Sequence, residues 1–198
     1  MDYYNAVKLF HETFKHPAPD HVTLSPYGDA QKDQNLRDLR IELIREEVEE
    51  LEEALAAKDI VEIADAGADI LYVCYGAQVA FGLPQTITGL DTPRKHKTAS
   101  YQTGALFLLE PIETALKSLR AAIVALNTDD VNASLTTIIY HTLILTNECG
   151  IDMQAVFAEV QRSNMSKLDE NGQPIFRADG KILKSSTWSP PDLSFLIL

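Results

Sequence analysis

The sequence predicts an all-α fold: a four-helix core followed by a turn-rich C-terminal tail, in one domain spanning residues 1–198. Residues 43–83 have the pattern of two helices with a short break at Lys58-Asp59. Residues 113–151 repeat the apolar periodicity of residues 46–83, and two packed helical hairpins make a four-helix core. Gly and Pro then recur through the last thirty or so residues, which is typical of turns.

Composition narrows the class of partner. The 198-residue chain has a net charge of −12 and is 45% hydrophobic. Such acidity argues against a nucleic-acid partner, and an acidic phosphate-binding protein needs a metal ion. Cys74 and Cys149 lie in apolar helical patterns and are expected to be core thiols. The sequence shows no signal-peptide pattern or membrane-spanning run, so we expect a cytoplasmic protein with no membrane partner.

The N-terminal third is predicted to hold two helices separated by a loop. Residues 2–16 have an amphipathic pattern, and Pro17, Pro19, Pro26 and Gly28 mark the loop. A helix is expected from about Asp33 to Ala57. His11, inside the first helix, is more typical of a partly exposed helix residue than of a ligand.

The next helix, predicted over residues 60–83, is apolar on nearly every side yet contains Glu62, Asp65 and Asp69. At helical spacing these three acids fall within roughly 60° of one another. A helix of this kind is normally buried, and buried carboxylates need a compensating cation. No Lys or Arg occurs between residues 60 and 83, so the compensation is expected from elsewhere.

The preceding helix supplies more carboxylates. Glu47 projects within its apolar stripe, Glu50 lies on the edge of the stripe, and Glu46 lies just beyond. If the two helices pair, Glu47 and Glu50 face Asp65 and Asp69. Crowded carboxylates cannot all stay ionised without a counter-charge, and hard oxygen ligands suit Mg²⁺ or Mn²⁺. The alternative is a structural network with basic groups.

The second half is predicted to contain a connector (84–104), a degenerate second hairpin (105–150) and a C-terminal helix and tail (151–198). The connector carries the basic run 94–97. Ala54, Leu55 and Asp59 match residues 71 positions later, whereas Tyr72, Gly82 and Leu83 match residues 68 positions later, which suggests a short deletion. Asp65 and Asp69 then fall opposite Ala133 and Thr137. Residues 176–184 are predicted to form a small hairpin with an Asp-Gly turn.

A family resemblance rests on three stretches: residues 46–50 (EEVEE), residues 64–76 (ADAGADILYVCYG), and the tail segments RSNMSK, DGKILK and WSPPD. Together they resemble the MazG-like all-α nucleoside triphosphate pyrophosphohydrolases, and within them the members related to dimeric dUTPases. The resemblance implies a MazG-like helical bundle that binds Mg²⁺ through acids of two helices and releases pyrophosphate from a nucleoside triphosphate.

The resemblance also assigns residues. The metal ligands would be Glu47, Glu50, Asp65 and Asp69. Substrate would be held by Asn164, Lys167, Lys181 and Lys184. Ala66 stands where the family usually has an acid, so Asp65 is taken as its substitute and Glu62 offers another registration. From their positions, Glu46 could orient or deprotonate the attacking water, and Tyr72 could contact sugar or base or be a core aromatic.

The expected function is therefore Mg²⁺-dependent hydrolysis of a nucleoside triphosphate to the monophosphate and pyrophosphate, in a house-cleaning or nucleotide-pool role. dUTP is the first expected substrate, on resemblance alone. Two alternatives stay open: a same-scaffold hydrolase of another nucleotide such as phosphoribosyl-ATP, and a non-catalytic helical interaction module. The resemblance implies a homodimer, although the second hairpin could replace a partner subunit.

Overall fold

The computed structural model describes residues 1–85, 87, 101–177, 182–194 and 196, with side chains from residue 107 onward in the helix that begins at Tyr101. These residues form six helices and no strand, which confirms the all-α prediction. None of the helices described is long and apolar enough to cross a membrane. The helices are α1 (Tyr3–Thr13), α2 (Ala30–Ala57), α3 (Ile60–Ala80), α4 (Tyr101–Val124), α5 (Thr128–Glu148) and α6 (Met153–Met165).

Helix α3 is the centre of the fold. It pairs with α2 in one hairpin and packs against α5 of the second hairpin, while α2 contacts α4. Helices α1 and α6 cover the remaining sides of α3. The apolar surface of α3 is therefore buried all round, as its sequence predicts.

Small residues let α3 lie close to its neighbours. Ala64, Ala68 and Gly67 are all buried. A Cβ atom placed on Gly67 would lie 2.6 Å from Cγ2 of Thr146 on α5 and 3.3 Å from Cε of Met153. The absence of a side chain at Gly67 therefore sets how closely α3 and α5 pack.

The two hairpins have the same turn geometry at positions 68 residues apart. Lys58 and Leu126 are both left-handed, with φ of 58° and 54°. Asp59 caps α3 by accepting hydrogen bonds from the backbone N–H groups of residues 61 and 62, and Asn127 caps α5 in the same way. A left-handed residue followed by a capping side chain ends one helix and starts the next.

The ends of the hairpins share the same spacing. Gly82 and Gly150 have φ of 61° and 76°. The N–H of Leu83 donates to the carbonyl of Gln78 (2.8 Å), and that of Ile151 donates to the carbonyl of Thr146 (3.0 Å). The expected match 71 positions apart, and with it the deletion, is therefore wrong, because apolar periodicity alone does not fix a register to within one helical turn.

Several helix boundaries differ from the sequence expectations. Helix α2 begins at Ala30, because Asp29 caps it by accepting from the N–H groups of Gln31 and Lys32. Helix α3 ends at Ala80 rather than at residue 83. Helix α4 begins inside the expected connector. The basic run 94–97 lies outside the described residues.

The C-terminal tail is tied to α6. Nη1 of Arg162 donates to Oγ of Ser189 (2.5 Å), Nη2 donates to the carbonyl of Pro190 (2.9 Å), and Oγ of Ser163 donates to the carbonyl of Ser189 (2.9 Å). Within the predicted small hairpin, Phe176 and Ile182 form an antiparallel bridge. Its Asp179-Gly180 turn lies outside the described residues.

Candidate active site

The acids of α2 and α3 lie within electrostatic range of one another. Burial raises the pKa of Glu47 to about 8, and the charges of Asp69, Glu50, Asp65 and Glu46 add to that rise. Glu47 is half-buried, as expected of a residue inside the apolar stripe of α2. The antiparallel pairing of α2 and α3 thus brings together the carboxylates that the helical pattern placed on facing sides.

Asp69 is the acid of α3 nearest the C-terminal region. Burial raises its pKa to about 7, with further contributions from Asp65 and Glu50, while Lys167 acts in the opposite direction. A carboxyl group with this environment holds its proton near neutral pH unless a cation stabilises the ionised form.

Asp65, one turn before Asp69, also has a raised pKa. Its pKa is raised by burial first and then by Glu62 and Glu50. Its Oδ1 atom is buried and has no hydrogen-bond partner. A buried carboxylate oxygen without a donor is costly, and a nearby cation would offset that cost.

Glu46 has a different environment. Its side chain is 51% exposed and lies 3.9 Å from Arg45. Arg45 pairs more closely with Glu42 and Glu49 on the solvent face of α2. Glu46 is therefore next to the acid cluster yet in contact with water. Glu62 is exposed as well.

The expected counter-charge comes from the end of α6. Lys167 is partly buried, and burial lowers its pKa while the nearby Asp69 raises it. Its Nζ atom donates to Oδ1 of Asn164 (2.7 Å). The last turn of α6 thus brings the Asn164 amide, and the segment after it brings the Lys167 cation, to the acid cluster, although both are far from α3 in sequence.

Tyr72 lies one turn beyond Asp69 and is buried at 9% exposure. Its hydroxyl donates to Oε1 of Gln161 (2.9 Å), and its ring stacks on Phe157 with centroids 5.6 Å apart. Burial raises its pKa, and the Asn164 side chain also interacts with its hydroxyl. Tyr72 is therefore a core aromatic at the edge of the site, and its contact with substrate stays a prediction.

The two remaining lysines have separate outcomes. Lys184 is exposed, with Nζ 3.6 Å from the centroid of the Trp188 ring, and its charge acts on Lys167. It therefore lies on the same side of the molecule as the acid cluster. Lys181 lies outside the described residues.

The donor set fits a hard divalent cation. In the described ranges, no three acidic, His or Cys side chains already converge as a ready-made metal site. The unpartnered Oδ1 of Asp65 and the mutual repulsion of Glu47 and Asp69 are the features that a cation would relieve. Carboxylate oxygens in this number suit Mg²⁺ or Mn²⁺.

The α4–α5 hairpin has a groove at the corresponding place. A cavity of about 460 Å³ lies between its helices and has neutral side chains at the positions of the acids. At the spacing of 68 residues, the counterparts of Glu46, Glu47, Glu50, Asp65 and Asp69 are Thr114, Ala115, Ser118, Ala133 and Thr137. The second hairpin therefore has a groove at the corresponding place with none of the five acids at those positions, although Glu110 also lines it.

Arg40 is a buried charged residue of the α2–α3 hairpin that was not among the expected site residues. Arg40 on α2 is 8% exposed, and its Nη1 atom lies 3.2 Å from where a Cβ of Gly76 would be. His11 of α1 reaches the same spot and is buried at 2% exposure, so its expected partial exposure is wrong. The signal available was Arg40 itself, which falls seven residues before Glu47 on the same face of α2.

Comparisons with known proteins identify the family of the chain. The phosphoribosyl-ATP pyrophosphohydrolase family matches the chain twice, over residues 7–88 and over residues 87–164. The first match contains the acid cluster and the second contains the α4–α5 groove. The uncharacterized protein L479 of Acanthamoeba polyphaga mimivirus is 33% identical over 186 residues, covering 86% of this chain and 72% of the relative. No solved structure matches the chain.

Proposed function

The chain belongs to the phosphoribosyl-ATP pyrophosphohydrolase family, and from that premise we propose that it hydrolyses a nucleotide between its α and β phosphates with a divalent metal ion. Members of this family are hydrolases that act on acid anhydrides, and the family belongs to the MazG-like all-α superfamily. The observation that carries the proposal is the cluster of electrostatically strained carboxylates between α2 and α3.

Glu47, Glu50, Asp65 and Asp69 would hold Mg²⁺, with Mn²⁺ as an alternative. The raised pKa values of Glu47, Asp65 and Asp69 reflect burial and repulsion between neighbouring carboxylates, which a cation would offset. Such an ion supplies a Lewis acid that neutralises charge on the phosphate oxygens. Side chains of the protein would bind the phosphates and accept the proton.

The basic side of the site would hold the phosphates. Lys167 lies next to Asp69, and Asn164 is fixed by the hydrogen bond from Lys167. Lysine supplies a point charge for phosphate oxygens, and the Asn164 amide can donate to a phosphate, ribose or base. Lys181 and Lys184 are proposed as further phosphate contacts, with Tyr72 beside the sugar or base.

Glu46 would accept the proton. A water oxygen attacks the α phosphorus, the bond to the bridging oxygen breaks, and pyrophosphate leaves with that oxygen. The proton that the water loses passes to Glu46, which is exposed to solvent and can release it. The products are a nucleoside monophosphate and pyrophosphate.

The substrate is either a simple nucleoside triphosphate, with dUTP first by resemblance to the dimeric dUTPases, or phosphoribosyl-ATP, which the family match favours. Pyrophosphate release should be measured with ribo- and deoxynucleoside triphosphates and with phosphoribosyl-ATP, each with Mg²⁺ and with EDTA. We expect Mg²⁺-dependent release from one or a few of these substrates. An Asp69→Ala variant should release none.

A negative result in two measurements would contradict the proposed hydrolase activity. No pyrophosphate from any substrate, together with no Mg²⁺-dependent rise in the melting temperature, would contradict the hydrolase. A non-catalytic helical interaction module would then be the better reading of the acid cluster.

The proposed assembly is a homodimer in the cytoplasm. A groove of about 850 Å³ between α2 and the end of α4 is lined in part by Leu39, Val124 and Leu126, which are 49%, 80% and 56% exposed. Apolar residues grouped in this way are typical of a surface that another chain covers. Light scattering of the purified protein measures its mass, and a monomer would contradict the dimer.

A further inference from the structure

Arg40 is a buried cation that the acid cluster does not use. It is 8% exposed, and burial lowers its pKa to about 10. Its Nε atom has no hydrogen-bond partner, and none of the ion pairs among the described residues includes it. A buried guanidinium without a carboxylate partner is destabilising, so its presence calls for a ligand.

Among the described residues, His11, His16 and Tyr27 interact electrostatically with Arg40, and none of the three is negatively charged near neutral pH. His11 and His16 are held neutral by burial and by Arg40, with pKa values lowered to about 3 and about 4. Tyr27 is 51% exposed, and its hydroxyl interacts electrostatically with Arg40. Asp33, two turns earlier on α2, already accepts the backbone N–H of Tyr27 (2.9 Å).

His11 and Gly76 lie beside the guanidinium of Arg40. His11 Nδ1 donates to the carbonyl of Pro17 (2.7 Å), which turns Nε2 towards the space beside Gly76. Nη1 of Arg40 reaches the same space, and a Cβ at Gly76 would lie 3.2 Å from it. The absence of a side chain at Gly76 therefore allows Arg40 to pack against α3 at this position.

Arg40 lies in line with the acid cluster. It precedes Glu47 by seven residues on α2, and Gly76 follows Asp69 by seven residues on α3. Since α2 and α3 are antiparallel, Arg40 and Gly76 form a layer of the same hairpin two turns, or about 10 Å, from the carboxylates. A nucleotide whose triphosphate lies at the acids could extend along the hairpin over this distance.

We propose that Arg40, which lies beside His11 and Gly76, is a second anion subsite that binds a phosphate group remote from the acid cluster. A guanidinium is well suited to this ligand because its fork of donors matches two phosphate oxygens. The phosphate belongs either to the substrate, as in phosphoribosyl-ATP with its phosphate beyond the base, or to free inorganic phosphate. Only the substrate source rests on the proposed function.

Arg37 provides a matched control. It lies one turn earlier on α2 and is also 8% exposed. Its guanidinium is engaged, however: Nη1 donates to the carbonyl of Leu24 (2.9 Å), and Nη2 donates to Oε1 of Gln34 (2.9 Å). Arg37→Met should therefore lower the melting temperature, whereas Arg40→Met should leave it unchanged or raise it.

The test is the melting temperature with EDTA, in millimolar phosphate or in chloride of equal ionic strength. Phosphate should raise the melting temperature of the wild type, Arg37→Met and Lys167→Met, but not of Arg40→Met. The inference is overturned if wild type shows no shift, if the shift persists in Arg40→Met, or if Arg40→Met destabilises the fold as much as Arg37→Met. This readout needs neither metal nor turnover, so it stands apart from the proposed function.

Kinetics with Mg²⁺ then identify the source of the phosphate. If it belongs to the substrate, Arg40→Met should raise KM for phosphoribosyl-ATP about tenfold and leave KM for dUTP within about twofold, as loss of one charge-assisted contact predicts. If Arg40→Met leaves KM for both substrates unchanged from wild type but loses the melting-temperature shift with phosphate, the ligand of Arg40 is free inorganic phosphate. Absence of all turnover with an intact phosphate shift would contradict the proposed function alone.

Discussion

Glu47 and Asp69 are ionisable groups whose surroundings favour the protonated form in the absence of metal. The pKa of each group is raised mainly by burial and next by a neighbouring carboxylate. A site of this kind lowers the stability of the metal-free protein while it increases the gain from binding a cation.

The pH dependence of stability follows from Glu47. Its folded-state pKa is raised to about 8, so the folded protein binds more protons than the unfolded chain between about pH 4.5 and that value. Stability is therefore lost as pH rises through this window. In EDTA, Glu47→Gln should match wild type near the acid end and exceed its melting temperature by a few degrees at the alkaline end.

The control for this pH series is Glu53→Gln, since Glu53 lies on the exposed face of α2. Its melting-temperature difference from wild type should be flat across the series. The buried histidines contribute equally to all three proteins and cancel. A Glu47→Gln difference that does not grow with pH would mean that Glu47 is not strained.

At this scale, the sequence was informative where chemistry and periodicity coincide. Glu47, Asp65 and Asp69 could be grouped because helical spacing puts them on facing sides of two adjacent helices. The position of Lys167 beside Asp69 follows from how α6 docks on α3, which spacing within either helix does not determine. Arg40 was overlooked, and His11 was wrongly expected to be partly exposed, for the same reason: burial of a polar or charged residue depends on contacts between helices.

Helices and turns were predictable where capping signals are strong. The break at Lys58-Asp59 was predicted, and the structure shows a left-handed residue followed by an N-cap there. The start of α2 was placed too late because Asp29 is itself the cap. The repeat register was misjudged because matches of Ala and Leu carry little information, whereas the paired glycines that end each hairpin carry more.

Those paired glycines provide a prediction. A Cβ at Gly82 would lie 2.2 Å from the carbonyl oxygen of His21, whereas a Cβ at Gly150 meets nothing within 4 Å. Both residues are left-handed. Gly150→Ala should therefore cost about 1–2 kcal/mol, and Gly82→Ala should cost at least about 2 kcal/mol more. Chemical denaturation measures both, and equal losses would contradict the close approach of the loop to α3.

The contact between α3 and α5 provides another prediction. Gly67→Ala should cost about 1–3 kcal/mol, because the new Cβ overlaps Cγ2 of Thr146. Thr146→Ser removes that methyl group and keeps the hydroxyl that donates to the carbonyl of Thr142 (2.9 Å). The double variant should be more stable than Gly67→Ala alone. Additive losses in a double-mutant cycle would show that Thr146 is not the obstacle.

At the scale of the whole molecule, the α2–α3 and α4–α5 hairpins have the same turn geometry but different side chains in their grooves. Their turns recur 68 residues apart, and the same family matches each half of the chain. We propose that the second hairpin is a degenerate copy that keeps the packing surface and has lost the acids. Its groove has Ala133 and Thr137 where the first hairpin has Asp65 and Asp69.

We propose that the acids of the first hairpin, and not the corresponding residues of the second, are needed for the chemistry. The most direct measurement is Mg²⁺-dependent pyrophosphate release by two matched variants, Asp69→Asn and Thr137→Ala, which alter corresponding positions of the two hairpins. Asp69→Asn should lower the rate by about 100-fold or more, because it removes a proposed metal ligand at nearly constant shape. Thr137→Ala should stay within about twofold of wild type. Retained activity in Asp69→Asn, or an equal loss in Thr137→Ala, would contradict the account.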